Sequence, residues 1–534
     1  MRCILLFFVP RNDVVPSDLE KNSMTSATII PFHPLRKLIF LLPNSDLSRL
    51  VAEGYALACF EPRILELIDQ DRDAHALAKK KARIADREWL MSRGSPLPGF
   101  DIGIDEGWAD ELELATGRPR MSADLVLIFI LLRGYLGGFK DRKTAMLLLE
   151  SKTLETIFVN LGIKLPGLST ILDNVNAVTS ETFEFVLDVQ IEYAKVKRLD
   201  TFKELTGDST GIEANSTWPT DSGTIAGLAA RAEHLLRGLS DFGVALKLPA
   251  VVGSLIAELN ILHKQIQLSS GKKDSAAKRK KLYRKLIKIA KKVRQILQNT
   301  VERANLKAVG VDVMPSLKMR MAMNLEWIRG DLEDLDQAVK NAVSRVLQDK
   351  KVKTTDKVLS LSDEDAAIIA KGGREPLLGY KPQIVRSGNG IVTAIVVPKG
   401  NANDSDQLRA VVDASLQRTG IVPSVLSFDD GYTNGEDREY YLGLGIPTVS
   451  FSGSKGKRLI PEDEYQSKAY ATARNDRSAV ESTIFTLKFN HDFDRVMRRG
   501  LENVRCELLE KAIAHNFFRF IAIKQTLKKK LLAA

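Results

Sequence analysis

Asp208, Asp429 and Glu481 are the residues whose types and settings suit a chemical step. Asp208 lies in residues 203–210, a short strand-like run ending Gly207-Asp208-Ser209-Thr210, and Asp429 follows the strand-like run 422–428. Glu481 sits in the helical stretch Arg477-Ser-Ala-Val-Glu481-Ser-Thr-Ile-Phe-Thr-Leu-Lys488. Two carboxylates at strand ends and one on a helix are what a polynucleotide-cutting site needs to hold two divalent cations. Such cations, about 3.5 to 4 Å apart, stabilise the attacking and leaving oxygens of a phosphodiester displacement.

Any one of these acids alone has an ordinary explanation as a turn or cap residue. Asp430 competes with Asp429, but Asp430-Gly431 reads as a turn whereas Asp429 continues the strand. Asp221, in Pro219-Thr-Asp-Ser222, is better explained by capping a following helix than by catalysis. Glu213 lies near Asp208, and the intervening Gly211 leaves its direction open. On a helix, Arg477, Glu481, Ile484 or Phe485, and Lys488 fall along one stripe, so the carboxylate can face metals while the cations face phosphates. Arg477 and Glu481 are equally an ordinary i,i+4 ion pair.

The elements that must position these residues are bounded by composition. At 534 residues the chain exceeds one hydrophobic core, and its 44% hydrophobic content is that of a soluble protein of several domains. No apolar run approaches the roughly 18 residues needed to span a bilayer. Residues 4–9 are too short for a convincing signal peptide, and Met24 serves as well as Met1 as a start. Three scattered cysteines and six dispersed histidines argue against a disulfide framework or a zinc site, and point to a reducing cytoplasm. The net charge of +11 matters for where it sits, because Lys272 to Arg294 holds twelve Lys or Arg against the single acid Asp274. That block is the footprint expected where a protein meets a phosphate backbone.

Along the chain, residues 1–200 read as a helical N-terminal region, with helices over 121–136, 142–149, 154–161 and 180–196. The pattern fits a compact DNA-binding module and a plain bundle equally well. Residues 226–370 are helical again and hold the basic segment, in which Leu282, Leu286, Ile289, Val293 and Ile296 predict an amphipathic helix over 278–297. Most charge runs are solvated faces; the single sign here favours nucleic-acid contact through Lys280, Lys281, Arg284 and Lys285. Strands are expected over 378–386 and 391–397, joined by Ser387-Gly-Asn-Gly390, and the second, apolar on both faces, should be central. A helix (404–417), the Asp429 strand, a helix (435–444), a strand (447–451) and closing helices (474–488 and 504–531) follow. The expected class is therefore α/β: a mixed sheet with flanking helices and a large helical insertion between its first and second strands. The expected division is 1–200, a core of 201–225 with 371–500, an insertion of 226–370, and a C-terminal helix with a basic tail over 501–534.

That element order is the order of an RNase H-like domain, and the blocks within it carry a family resemblance. Gly207-Asp-Ser-Thr-Gly-Ile-Glu-Ala-Asn215 with Pro219-Thr-Asp-Ser222, then Leu378-Gly-Tyr-Lys-Pro-Gln383, Asp429-Asp-Gly-Tyr432 and Arg477-x3-Glu481-x6-Lys488 resemble bacterial insertion-sequence transposases of the DDE class. The similarity spans about residues 120 to 520. It implies an RNase H-like core in which Asp208, Asp429 and Glu481 hold two Mg2+ or Mn2+ ions, with Arg477 and Lys488 on the element's end. The family's signature has a tyrosine three residues before that arginine; here the position is Arg474. The implied reaction is attack of water at the element end, freeing a 3′-hydroxyl that attacks target DNA. The implied partners are double-stranded transposon ends and target, bound by a homodimer at the bacterial nucleoid, with no membrane. A metal-dependent nuclease without strand transfer and a domesticated, non-catalytic DNA-binding protein are the alternatives. Trp218 suits core packing, or stacking on an unpaired base.

Overall fold

The computed structural model describes residues 46–92, 121–135, 166–244, 246–269, 275–353, 356–370 and 375–533. The helices expected over 142–149 and 154–161, the leading residues 4–9 and Met24, and Lys272, Lys273 and Asp274 lie outside them.

A five-stranded mixed sheet organises the site. Its strands are β1 (Glu204–Ser209), β5 (Gln383–Ser387), β6 (Val392–Val396), β7 (Val425–Phe428) and β8 (Thr448–Phe451), in the order β6-β5-β1-β7-β8. β1 pairs antiparallel with β5 and parallel with β7, and β7 pairs parallel with β8. Parallel neighbours need crossovers, and the helices supplied between β6 and β7 and between β7 and β8 are Asp404–Thr419 and Gly435–Gly443. A second, three-stranded sheet is built from β2 (Ile212–Glu213), β3 (Ala367–Ile369) and β4 (Leu377–Tyr380) in the order β2-β4-β3.

Two expectations are corrected by this topology. The run 378–386 is not one strand, because β4 and β5 belong to different sheets and the chain turns between them at Lys381-Pro382. Pro382 has no N–H to continue a ladder, and its carbonyl instead accepts from Thr210 N at 3.1 Å. The run 391–397 is not central: β6 is an edge strand. Its two-sided burial comes from helices, since Ala394 packs in the core under Asp404–Thr419 while Val392 and Ile395 pack in the core shared with Leu508 and Ala512. The open edge is met by Asn516, whose Oδ1 accepts from Val392 N at 2.8 Å and whose Nδ2 donates to Val392 O at 2.9 Å. One amide thus replaces a missing strand at that residue.

Close backbone approach explains two glycines in the motif blocks. A Cβ on Gly207 would fall 2.2 Å from the Phe428 ring, and one on Gly379 would fall 1.8 Å from Ile212 O. Only glycine lets β1 seat against β7 and β4 against β2.

Between β2 and β3 the described residues form four α-helices, Asp221–Gly238, Val251–Leu268, Ser275–Val309 and Pro315–Ala342, around their own core of Leu228, Leu259, Leu286, Val293, Ile328 and Leu335. Thr220, not Asp221, caps the first of them through Gly223 N, and Asp221 pairs with Arg345 at 2.7 Å. Leu286 and Val293 turn inward, while Leu282, Ile289 and Ile296 are partly buried around the same core. Lys278 to Arg294 of the basic segment lie in a 35-residue helix. N-terminal helices, including Ala123–Tyr135 and Ser180–Val196, share a core with the last helix, Leu501–Ala533, through Leu509, Ile513 and Phe517. That last helix therefore joins the N-terminal bundle to the sheet. Arg133 and Arg498 both bond to the buried Glu510 within it, at 2.8 and 2.7 Å.

Candidate active site

Register brings the first two acids together. β1 and β7 run parallel with Thr206 opposite Ser427, so two further residues along each chain place Asp208 alongside Asp429. Asp208 stays within β1, and its Oδ1 accepts from Ser209 N at 2.7 Å. Asp429 follows β7 and caps a short 3-10 turn, with Gly431 N donating to its Oδ1 at 2.9 Å. Asp430 lines the same cavity, but its Oδ1 caps the helix Ser454–Leu459, accepting from Lys455 N and Gly456 N at 2.8 and 3.0 Å.

The third acid arrives on a helix that follows one docked on the sheet. Ser427 Oγ donates to Ala473 O at 2.8 Å, and Tyr470 hydrogen-bonds the Phe451 backbone at 2.8 and 2.9 Å, which docks the helix Lys468–Asp476 on β7 and β8. Arg477, with helical dihedrals, links it to the helix Ser478–His491. The latter turns Val480, Thr483, Leu487 and His491 inward and leaves Glu481, Phe485 and Phe489 outside.

Asp208, Asp429, Glu481, Arg477 and Lys488 all line one cavity of about 650 Å³. Arg477 stands between two of the acids, with Nη1 at 3.6 Å from Asp208 Oδ2 and Nη2 paired with Glu481. Lys488 Nζ donates to Gly211 O at 3.0 Å. Ile369, Leu377, Ile484 and Phe485 give the cavity an apolar flank. Beneath it, Tyr432 donates to Gln383 Oε1, Gln383 Nε2 donates to Asp404 Oδ1 at 3.2 Å, and Lys381 pairs with Asp404 at 2.9 Å. Burial, then the charges of Asp404, Asp208 and Asp429, raise the Tyr432 hydroxyl well above its ordinary pKa, so it remains a proton donor. Sequence reasoning passed over this network, although Lys381, Gln383 and Tyr432 stand inside the motif blocks.

The remaining residues fall elsewhere. Glu213 is exposed and takes its backbone into a bridge with Arg495, away from the cavity lining. Trp218 is 52% exposed, which overturns a core role. Arg474, at the tyrosine position of the motif, lies over the Tyr465 ring at 4.7 Å. In the insertion, Lys281, Arg284 and Lys285 are exposed, whereas Lys280 pairs with Asp349.

The donor set is all carboxylate oxygen, which suits Mg2+ or Mn2+. Among the described residues no three Asp, Glu, His or Cys form a ready cation cluster. Arg477 balances the charge of Asp208 and Glu481 in this arrangement.

A mixed α/β domain with acids from two parallel strands and a neighbouring helix around one cavity defines the class. Residues 350–517 match the family model described as a transposase DDE domain. The match takes in Asp429, Arg477, Glu481 and Lys488; Asp208 lies ahead of it but enters the same sheet through β1. No curated protein and no solved structure matches the chain. No described helix is long and apolar enough to cross a membrane.

Proposed function

We propose that the protein is an insertion-sequence DDE transposase with an RNase H-like core, whose catalytic acids are Asp208, Asp429 and Glu481. The observation that carries the reading is the β1–β7 register, which aligns the two aspartates on a cavity that Glu481 also lines. The three carboxylates would hold Mg2+ or Mn2+, two ions per site. Bound there, the cations stabilise the attacking and leaving oxygens of phosphodiester displacement. Arg477 and Lys488 hold the backbone phosphates at the element end, and the basic helix of the insertion, through Lys281, Arg284 and Lys285, binds duplex further out. The insertion, the split core and the N-terminal helices act as separate units of one DNA-bound machine, which pairs two ends as a homodimer on cytoplasmic, nucleoid DNA. No covalent protein intermediate is needed, since the freed 3′-hydroxyl is itself the second nucleophile.

The test is cleavage of duplex carrying the repeats that flank the coding region, with Mn2+. Asp208→Ala, Asp429→Ala and Glu481→Ala are each expected to cut about a thousandfold more slowly. Wild-type rates in all three would sink the assignment. A joined product with target DNA separates transposition from simple nuclease action.

A further inference from the structure

The helix that carries Glu481 also carries an exposed aromatic pair. Phe485 and Phe489 are 65% and 77% exposed, and their rings lie parallel within 8° at 5.7 Å between centroids. They follow Glu481 by four and eight residues, so they extend its stripe along the same helix face. Phe485 lines the cavity of the three acids, together with Ile369 and Leu377 of the small sheet. A phosphate alone has no use for that apolar flank.

Building on the proposed function, we infer that Phe485 and Phe489 form a stacking platform for an unpaired nucleobase at the DNA end entering the cavity. Charge makes the partner anionic, because Arg477 and Lys488 line the same cavity and Lys488 falls between the two rings in sequence. A nucleotide whose phosphate meets Lys488 carries its base toward the rings. Every base has a π-face, so the platform is tolerant of sequence. Its role is to hold a strand that has left the duplex, which keeps the freed base from re-pairing and so keeps the scissile phosphate near the acids.

The experiment uses the full chain without divalent metal and two synthetic duplexes, one blunt and one with a three-nucleotide overhang bearing 2-aminopurine. The wild type is expected to prefer the overhang and quench the 2-aminopurine. F485A/F489A should lose about tenfold in overhang affinity and lose the quenching, with blunt-duplex affinity unchanged. F485Y/F489Y should restore both. Equal affinity for both duplexes without quenching overturns the platform while leaving the carboxylate assignment to its own cleavage test. A dimer that dissociates on F485A/F489A, with quenching intact, also overturns it and makes the rings a subunit interface. Failure to bind either duplex overturns the platform and the transposase reading together.

Discussion

Arg477 Nη1 stands 3.6 Å from Asp208 Oδ2, while Nη2 of the same guanidinium is paired with Glu481. The arginine therefore offsets the charge of two of the three acids, and on the proposed reading it would compete with metal for them. Arg477→Gln is expected to bind Mn2+ about tenfold more tightly in the absence of DNA and to cleave DNA more slowly. Mn2+ titration followed by paramagnetic resonance measures the first effect; unchanged or weaker binding would show that the guanidinium does not compete.

Tyr432 ties the Asp429 loop to β5 through Gln383. Tyr432→Phe leaves the buried Gln383 oxygen without that donor, at a cost of about 1 to 3 kcal/mol. Because the hydroxyl is held well above its ordinary pKa, the loss should be the same at pH 6 and pH 9. A gap between the wild-type and Tyr432→Phe urea midpoints that differs between those two pH values would contradict this.

His491 and His515 lie edge to face at 5.9 Å, where the Glu481 helix meets the last helix. Burial depresses them to about 4 and about 3, the former opposed by the Gly134 carbonyl and the latter lowered further by His491. The unfolded chain takes up these protons near pH 6.5 and the folded chain does not. Their contribution is complete above that pH and is lost as pH falls toward 4, with a slope of up to about 1.4 kcal/mol per pH unit for each histidine. Urea midpoints at pH 7.5 and 5 measure it, and His491→Gln should flatten the decline.

Neutralising Lys280, Lys281, Arg284 and Lys285 together should weaken duplex binding and lower the slope of log K against log salt by about 0.9 for each phosphate that the helix no longer neutralises. Lys280 should contribute least, since it already pairs with Asp349. Binding isotherms from 50 to 200 mM salt decide the matter, and an unaltered slope makes the face merely solvated.

What could be read from the residues followed local physics. The helix at Ser180–Val196 and the β5–β6 turn carry their own signals in periodicity and in Ser387-Gly-Asn-Gly390. Asp208, Asp429 and Glu481, which the structure places on one cavity, stand out in the sequence because each closes or rides an element of recognisable type. What escaped depends on neighbours distant in sequence. Apolarity on both faces of Val392–Val396 records helices above and below, not strands on both sides. The break at Pro382 and the exposure of Trp218 are tertiary outcomes, and the short pairing of Ile212–Glu213 with Leu377–Tyr380 is invisible to any local window.

The antiparallel partner of β1 begins only at Gln383, beyond the whole four-helix insertion. During synthesis the first aspartate must wait through that detour for its companions. On the proposed reading, a polypeptide cut short anywhere between the insertion and Asp429 would carry the complete basic grip and one acid of three. Such a fragment would occupy DNA without being able to cut it, so incomplete translation products of this chain would act as rivals of the finished enzyme.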